Sequence, residues 1–192
     1  DKYFCHYSIT AFQLLDDKIY YIDNDYAAEE KYHTNGRIIA LDDAYDTTPE
    51  VITEITGEWV DPIDDEAWLN NFSKLAVGNG VLYYSTSDSV LSYNPKTKEQ
   101  AMVISPEEVK KSAGEGYAIY GLEFSDCTLS GEYAIAPEYY EAEKPAKPFS
   151  KKIHTRGEGW RSIVSPTETK SGKAAVTCVN CNYVFEEKEV PA

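Results

Sequence analysis

The sequence lacks any apolar run near the roughly 20 residues that a membrane-spanning helix requires. Its opening, DKYFCHYSIT, has neither the basic nor the apolar region of a signal peptide, so a secreted protein would need a leader that has been removed. Basic residues are also scarce, with 18 Lys and Arg against 33 Asp and Glu and a net charge of −15. Because this balance cannot neutralise phosphates or anionic headgroups, it excludes nucleic acid as a partner and predicts no membrane insertion.

Recognisable catalytic motifs are missing as well. No serine stands in a Gly-x-Ser-x-Gly motif, and no glycine-rich loop could hold a phosphate. We therefore predict no catalytic residues and a protein that is not an enzyme.

Tyrosine, in contrast, is abundant, with 16 copies against 6 Phe and 3 Trp. Its apolar ring and polar hydroxyl suit half-buried strands, and aromatic rings also suit surfaces that stack on sugars. The tryptophans Trp59, Trp68 and Trp160 are the candidate ligand-binding residues.

An internal repeat organises most of the chain. Three segments align without gaps: AFQLLDDKIYYI (11–22), KLAVGNGVLYYS (74–85) and GLEFSDCTLSGE (121–132). Each consists of a strand pattern, a two-residue turn and a second strand pattern. The turns are Asp16-Asp17, Asn79-Gly80 and Asp126-Cys127. Asn-Gly is a strong hairpin signal, so we predict three equivalent hairpins.

The first two units continue to match in their second halves. Residues 37–53 align without a gap to residues 89–105, which places Val51 opposite Val103 in the alignment. The first unit holds 11 more residues between its halves, and we predict that they form a polar loop within residues 23–36.

Four short strands in about 50 residues are typical of a propeller blade. The pattern resembles the propeller-type repeats of secreted and surface proteins from Gram-positive bacteria. The resemblance implies an all-β fold of propeller-like four-stranded units, arranged as a partial or open propeller, in a domain of residues 1–150. The units cover about 11–53, 74–105 and 121–150.

Three further segments carry local signals. Residues 61–72 are predicted to hold a short helix. Residues 105–116 are predicted to form a helix in which Ser105 and Glu108 make a capping box. Two prolines and mixed charge in residues 141–152 predict an extended linker at the domain boundary.

The C-terminal segment, residues 151–192, contains a Cys-x-x-Cys pair, Cys178 and Cys181. The order of residues in this segment is similar to that of a short repeat of clostridial surface proteins. The matching residues are His154, Gly172, the cysteine pair and the final Val-Pro-Ala. That resemblance implies a small zinc-ribbon-like β module in which His154, Cys178 and Cys181 bind structural zinc. A disulfide or free thiols at the pair remain open alternatives, and a thioredoxin-like redox role has no surrounding βαβ pattern.

The fourth zinc ligand is not evident from the sequence. His6, His33 or an acidic side chain could supply it. Of the other two cysteines, Cys127 is predicted to lie at a hairpin tip. Both Cys5 and Cys127 are predicted to be free thiols, with a disulfide between them in an oxidising compartment as the alternative.

Together these patterns predict a non-enzymatic extracellular or cell-surface region of a bacterial protein, which recognises a protein or glycan through its propeller loops or serves as a scaffold. The alternative is an accessory domain of a surface-anchored enzyme, such as a glycan hydrolase or a transglutaminase-like protein, whose catalytic part lies elsewhere.

Overall fold

The computed structural model describes residues 8–26, 34–55, 72–135 and 145–192. Within these ranges the chain is mostly β-strand with one short helix, which confirms the predicted all-β class of open, propeller-like units. The strands are β1 (Ser8–Leu15), β2 (Lys18–Tyr26), β3 (Thr34–Leu41), β4 (Glu50–Ile55), β5 (Lys74–Gly78), β6 (Val81–Ser85), β7 (Val90–Asn94), β8 (Glu99–Ile104), β9 (Tyr117–Ser125), β10 (Thr128–Ile135), β11 (Lys147–Lys152), β12 (Arg161–Val164), β13 (Gly172–Thr177) and β14 (Val184–Val190). The helix, α1, spans Pro106–Ala113.

The described strands form four antiparallel sheets. Sheet 1 has the order β1-β2-β3-β4, sheet 2 the order β5-β6-β7-β8, sheet 3 the order β11-β10-β9 and sheet 4 the order β12-β13-β14. The chain divides into two compact units: unit 1 comprises Asp1–Phe124 and Ser130–Ser150, and unit 2 comprises Ser125–Leu129 and Lys151–Ala192. The tip of the β9–β10 hairpin therefore belongs to unit 2.

The three predicted hairpins are confirmed. Both residues of each two-residue turn have positive φ: 49° and 63° at Asp16-Asp17, 55° and 72° at Asn79-Gly80, and 47° and 55° at Asp126-Cys127. This backbone conformation suits the right-handed twist of the flanking strands, and Gly, Asn and Asp adopt it at lower cost than other residues.

Sheets 1 and 2 pack face to face and form the core of unit 1. Strand alternation directs Tyr20 and Ile22 of β2 to the same side as Ile38 and Ala40 of β3, where they are buried against sheet 2. The facing residues of sheet 2 are Leu75, Leu82, Tyr84 and Tyr93, with Val77 and Leu91 packed beside them.

The register of sheets 1 and 2 corrects the predicted alignment of their last strands. Ile39 pairs with Val51, whereas the equivalent Leu91 pairs with Met102, so Val51 corresponds to Met102 and not to Val103. The connection after β3 is therefore one residue longer than the connection after β7. The carboxylate of Asp46 holds this longer connection by accepting hydrogen bonds from two backbone amides within it. Both sheets keep an irregularity at the same place, between β3 and β4 and between β7 and β8.

The polar insertion predicted as a loop over residues 23–36 is largely strand where the structure describes it. Asp23 pairs with Arg37, and the ladder continues to the pairing of Tyr26 with Thr34. The extra residues lengthen the β2–β3 hairpin because continued pairing satisfies their backbone hydrogen bonds. Residues 27–33 lie outside the described ranges.

The predicted linker at 141–152 is also wrong in its second half. Residues 147–152 form β11, the strand next to β10 at the edge of sheet 3. Pro148 is compatible with an edge strand because the outward side of such a strand needs no amide donor. Phe149 stacks on Tyr133 with ring centroids 4.6 Å apart, which gives this segment an apolar contact.

The helix predicted within residues 105–116 is confirmed as α1. Ser105 is its N-cap and accepts a hydrogen bond from the amide of Glu108 at 3.3 Å. The Glu108 carboxylate accepts one in return from the amide of Ser105 at 3.0 Å, which completes the capping box. The predicted helix at 61–72 lies almost wholly outside the described ranges.

Unit 2 contains sheet 4 and has a thin core. Its central strand, β13, buries Ala174, Ala175 and Val176, whereas all four residues of β12 are exposed. In the described parts of the chain, no helix is long and apolar enough to cross a membrane.

Candidate metal centre

Three separate segments of unit 2 meet at one point. They are the β9–β10 turn with Cys127, the stretch after β11 with His154, and the stretch after β13 with Cys178 and Cys181. The amide of Ile153 donates to the carbonyl of Cys127 at 2.8 Å, so the residue before His154 is tied to the hairpin tip.

Backbone hydrogen bonds also join the second and third segments. The amide of Val179 donates to the carbonyl of Thr155 at 3.0 Å, and Arg156 forms an isolated β-bridge with Cys178. The cysteine pair itself lies in a tight loop closed by a hydrogen bond from the amide of Cys178 to the carbonyl of Tyr183 at 2.8 Å. Each donor residue is therefore held by the backbone on at least one side.

The four side chains place one nitrogen and three sulfur atoms within 4.8 Å of one another. Two of these distances are 3.9 Å, between the Sγ atoms of Cys127 and Cys178, and 3.3 Å, between Cys181 Sγ and His154 Nδ1. For tetrahedral zinc, the usual Zn–S and Zn–N bond lengths place neighbouring ligand atoms about 3.5–3.8 Å apart. Both distances are close to these values, so the donor set is compatible with a tetrahedral metal ion.

The His154 ring is held in place by two aromatic side chains. Tyr183 stacks on it with centroids 4.0 Å apart and planes at 7°, and Phe185 contacts it edge-on at 6.3 Å. A ring held in this way keeps its Nδ1 near Cys181 without reorientation when a ligand arrives.

The buried Cys178 thiol has a shifted pKa. Burial raises the pKa, but hydrogen bonds from the backbone of Asn180 and Thr155 and from Cys181 outweigh that effect and lower it to about 6. One of them, from the amide of Asn180 to Cys178 Sγ, spans 3.5 Å. The surroundings of Cys178 therefore favour the thiolate, which is the form that binds metals.

The structure brings together the three residues that the sequence singled out, His154, Cys178 and Cys181, and adds Cys127. Cys127 lies at a hairpin tip as a free thiol, as predicted, but the sequence pattern did not mark it as a ligand. The candidates proposed for the fourth position, His6 and His33, lie outside the described ranges, as does Cys5. Cys178 and Cys181 are free thiols, not a disulfide.

Of the three candidate ligand-binding tryptophans, Trp160 lies within the described residues, and it is not part of this cluster. Trp160 is 43% exposed in unit 2, with the Lys188 ammonium 4.3 Å from the centre of its ring. Trp59 and Trp68 lie outside the described ranges.

Comparison with models of known protein families finds no match to this chain, and comparison with curated proteins finds none either.

Proposed function

We propose that unit 2 binds one zinc ion through Cys127, His154, Cys178 and Cys181 and that this ion has a structural role. The observation that carries the proposal is the convergence of all four donor atoms within 4.8 Å. Three thiolates and one imidazole fill a tetrahedral coordination sphere, whereas catalytic zinc sites keep a position for water or substrate. Softness of the thiolate ligands favours zinc over calcium or magnesium.

The small core of unit 2 supports a structural role. The apolar side chains buried in sheet 4 are those of two alanines and a valine, Ala174, Ala175 and Val176, which remove little apolar surface from water. Small domains with so little core depend on metal ions, disulfides or association for stability. A metal ion at this site would link the β9–β10 turn, the stretch after β11 and the loop after β13.

Metal content and absorption spectroscopy of the purified full chain test this proposal. We expect one zinc per chain and a zinc-edge spectrum with three sulfur ligands and one nitrogen ligand. Cobalt substitution should give the absorption bands of a tetrahedral thiolate site. A Cys178–Cys181 disulfide, or a chain that retains no metal after purification in zinc-containing buffer, would contradict the proposal.

We also propose that the whole region serves as a non-enzymatic scaffold or recognition region of an extracellular or cell-surface bacterial protein, with a protein or glycan as its partner. The exposed Trp160 ring supports a binding role because aromatic faces stack on sugars. Binding to a glycan array that is lost in Trp160→Ala, but retained in Lys170→Ala, would support recognition through this residue. Turnover of any substrate by the isolated chain would exclude both this proposal and the accessory-domain alternative.

A further inference from the structure

The repeat assigns equivalent positions to the first strands of the three sheets of unit 1. Phe12 of β1 corresponds to Leu75 of β5, 63 positions later, and Leu75 corresponds to Leu122 of β9. Leu75 and Leu122 are buried, with 5% and 7% of their surface exposed. Phe12 is 64% exposed. The same repeat position is thus covered in sheets 2 and 3 and open in sheet 1.

A second set of equivalent residues, two positions further along each strand and on the same side, shows which surface covers this side of the sheet. Val77 of sheet 2 packs against the core face of sheet 1, and its equivalent Phe124 of sheet 3 stacks on Tyr83 of sheet 2, with ring centroids 5.1 Å apart. The third equivalent, Leu14 of sheet 1, is 66% exposed. In both covered cases, the contact is made with the opposite face of the preceding sheet.

The receiving faces are also equivalent to each other. Tyr83, which contacts Phe124, corresponds to Tyr20 of sheet 1, which is buried in the interface with sheet 2. In both interfaces, the side of one sheet that carries the equivalent tyrosine packs against the opposite side of the next sheet. The tyrosine is Tyr20 in sheet 1 and Tyr83 in sheet 2.

The remaining residues of the open side suit burial. In register with Phe12 and Leu14 lie Tyr21, Ile39 and Val51. Val51 is exposed, whereas Ile39 is already buried, as are the neighbouring Leu41 and Asp23, so the open part of this side centres on Phe12, Leu14 and Val51. We define the outer face of sheet 1 as the residues Phe12, Leu14, Ile19, Tyr21, Asp23, Arg37, Ile39, Leu41 and Val51.

The two charges on this face pair with each other. Arg37 Nη2 and Asp23 Oδ2 are 2.7 Å apart at the lining of a cavity of about 350 Å³. The equivalent pair in sheet 2, Thr86 and Ser89, forms a neutral hydrogen bond of 2.6 Å. A charge pair that is already formed costs less to cover than an isolated charge.

We propose that the outer face of sheet 1 binds a further four-stranded sheet of this same repeat, with a tyrosine-containing face equivalent to that of Tyr20 turned towards Phe12 and Leu14. This sheet would pack on sheet 1 in the same way as sheet 1 packs on sheet 2.

The test extends the full chain with a second copy of residues 8–70 placed directly before residue 8, which preserves the natural spacing of the repeat. Hydrogen exchange is measured in strand β1 of the original copy. We expect exchange there to slow by about tenfold or more relative to the unextended chain. Phe12→Asp combined with Leu14→Asp in the original copy should abolish the slowing. The matched control Tyr120→Asp changes another large exposed residue of unit 1 and should leave it intact.

Three results would overturn the proposal. One is unchanged exchange in β1 of the extended chain, and another is an added copy that stays unfolded while the original chain folds. The third is a dimer of the unextended chain, detected by light scattering and lost in the Phe12→Asp, Leu14→Asp variant, because the face would then bind a second copy of the chain instead.

Discussion

Replacement of Cys127 by Asn should have opposite effects on unit 2 with and without zinc. Cys127 has φ of 55°, a left-handed conformation that costs an ordinary residue about 1–2 kcal/mol and that Asn adopts more easily. In the presence of a chelator, Cys127→Asn should therefore stabilise the hairpin tip by about 1 kcal/mol. With zinc bound, the same substitution removes one of the four ligands.

The loss with zinc should exceed the gain without it. Structural zinc sites contribute about 10–16 kcal/mol, so an equal share gives about 2.5–4 kcal/mol for each of four ligands. Cys127→Asn should then weaken zinc binding by about 100- to 1,000-fold. At zinc saturation, unit 2 of the variant should be less stable than the wild type by about 1.5–3 kcal/mol after the gain in the turn is subtracted.

Competition with a chromophoric chelator measures the affinity, and urea unfolding followed by hydrogen exchange in residues 151–192 measures the stability of unit 2. Asp126→Asn changes the neighbouring turn residue without removing a ligand and should leave zinc affinity unchanged. If Cys127→Asn binds zinc as tightly as the wild type, Cys127 is not a ligand and the reasoning fails.

Three further predictions concern other parts of the chain. Removal of zinc by a chelator should speed hydrogen exchange in residues 151–192 but not in sheets 1 and 2; equal acceleration in both would show that the ion does not act locally. Gly78→Ala should destabilise unit 1 by about 1–3 kcal/mol in chemical denaturation, because its new Cβ would overlap the Phe124 ring. Gly121→Ala, whose Cβ would lie 3.6 Å from its nearest neighbour, is the control and should cost less. Burial raises the pKa of Tyr84 from 10 to about 12. The neutral hydroxyl therefore stabilises the folded state fully below pH 10, and this stabilisation is lost as the pH rises through 12. Alkaline unfolding of Tyr84→Phe should therefore show a weaker pH dependence in that window, and an unchanged dependence would contradict the assignment.

The turns and the repeat could be predicted from the sequence because their signals are local. Asn79-Gly80 marks a hairpin by residue type alone, and Asp126-Cys127 could be located by alignment to it. Ser105 and Glu108 likewise predicted a capping box that requires only four consecutive residues to form.

Features that depend on pairing between distant residues were predicted less well. Val51 corresponds to Met102 because the connection after β3 is one residue longer than the connection after β7. Residue propensities contain no information about such a difference in length. Residues 23–26 and 147–152 are polar or contain proline, so composition favoured loops, although backbone pairing with neighbouring strands makes them β. Tertiary context outweighs the intrinsic preferences of such segments.

The candidate metal centre illustrates the same limit. His154, Cys178 and Cys181 could be identified because their spacing and order match a known pattern. Cys127 lies in the third hairpin of the repeat, 51 positions before Cys178, and is not part of that pattern. The available signal was a cysteine in a turn position that the second repeat fills with Gly80. A residue that tolerates this backbone poorly suggests a role beyond the turn.

The wide separation of Cys127 from its partners has a consequence during synthesis on the ribosome. At about 5–20 residues per second, the 51 positions between Cys127 and Cys178 take about 3–10 s to translate. During that time the hairpin can emerge and pair while its tip still carries a lone thiol. The final assembly of unit 2 therefore has to wait for the last segment to leave the exit tunnel, and the nascent thiol is open to oxidation or to capture by another thiol until then.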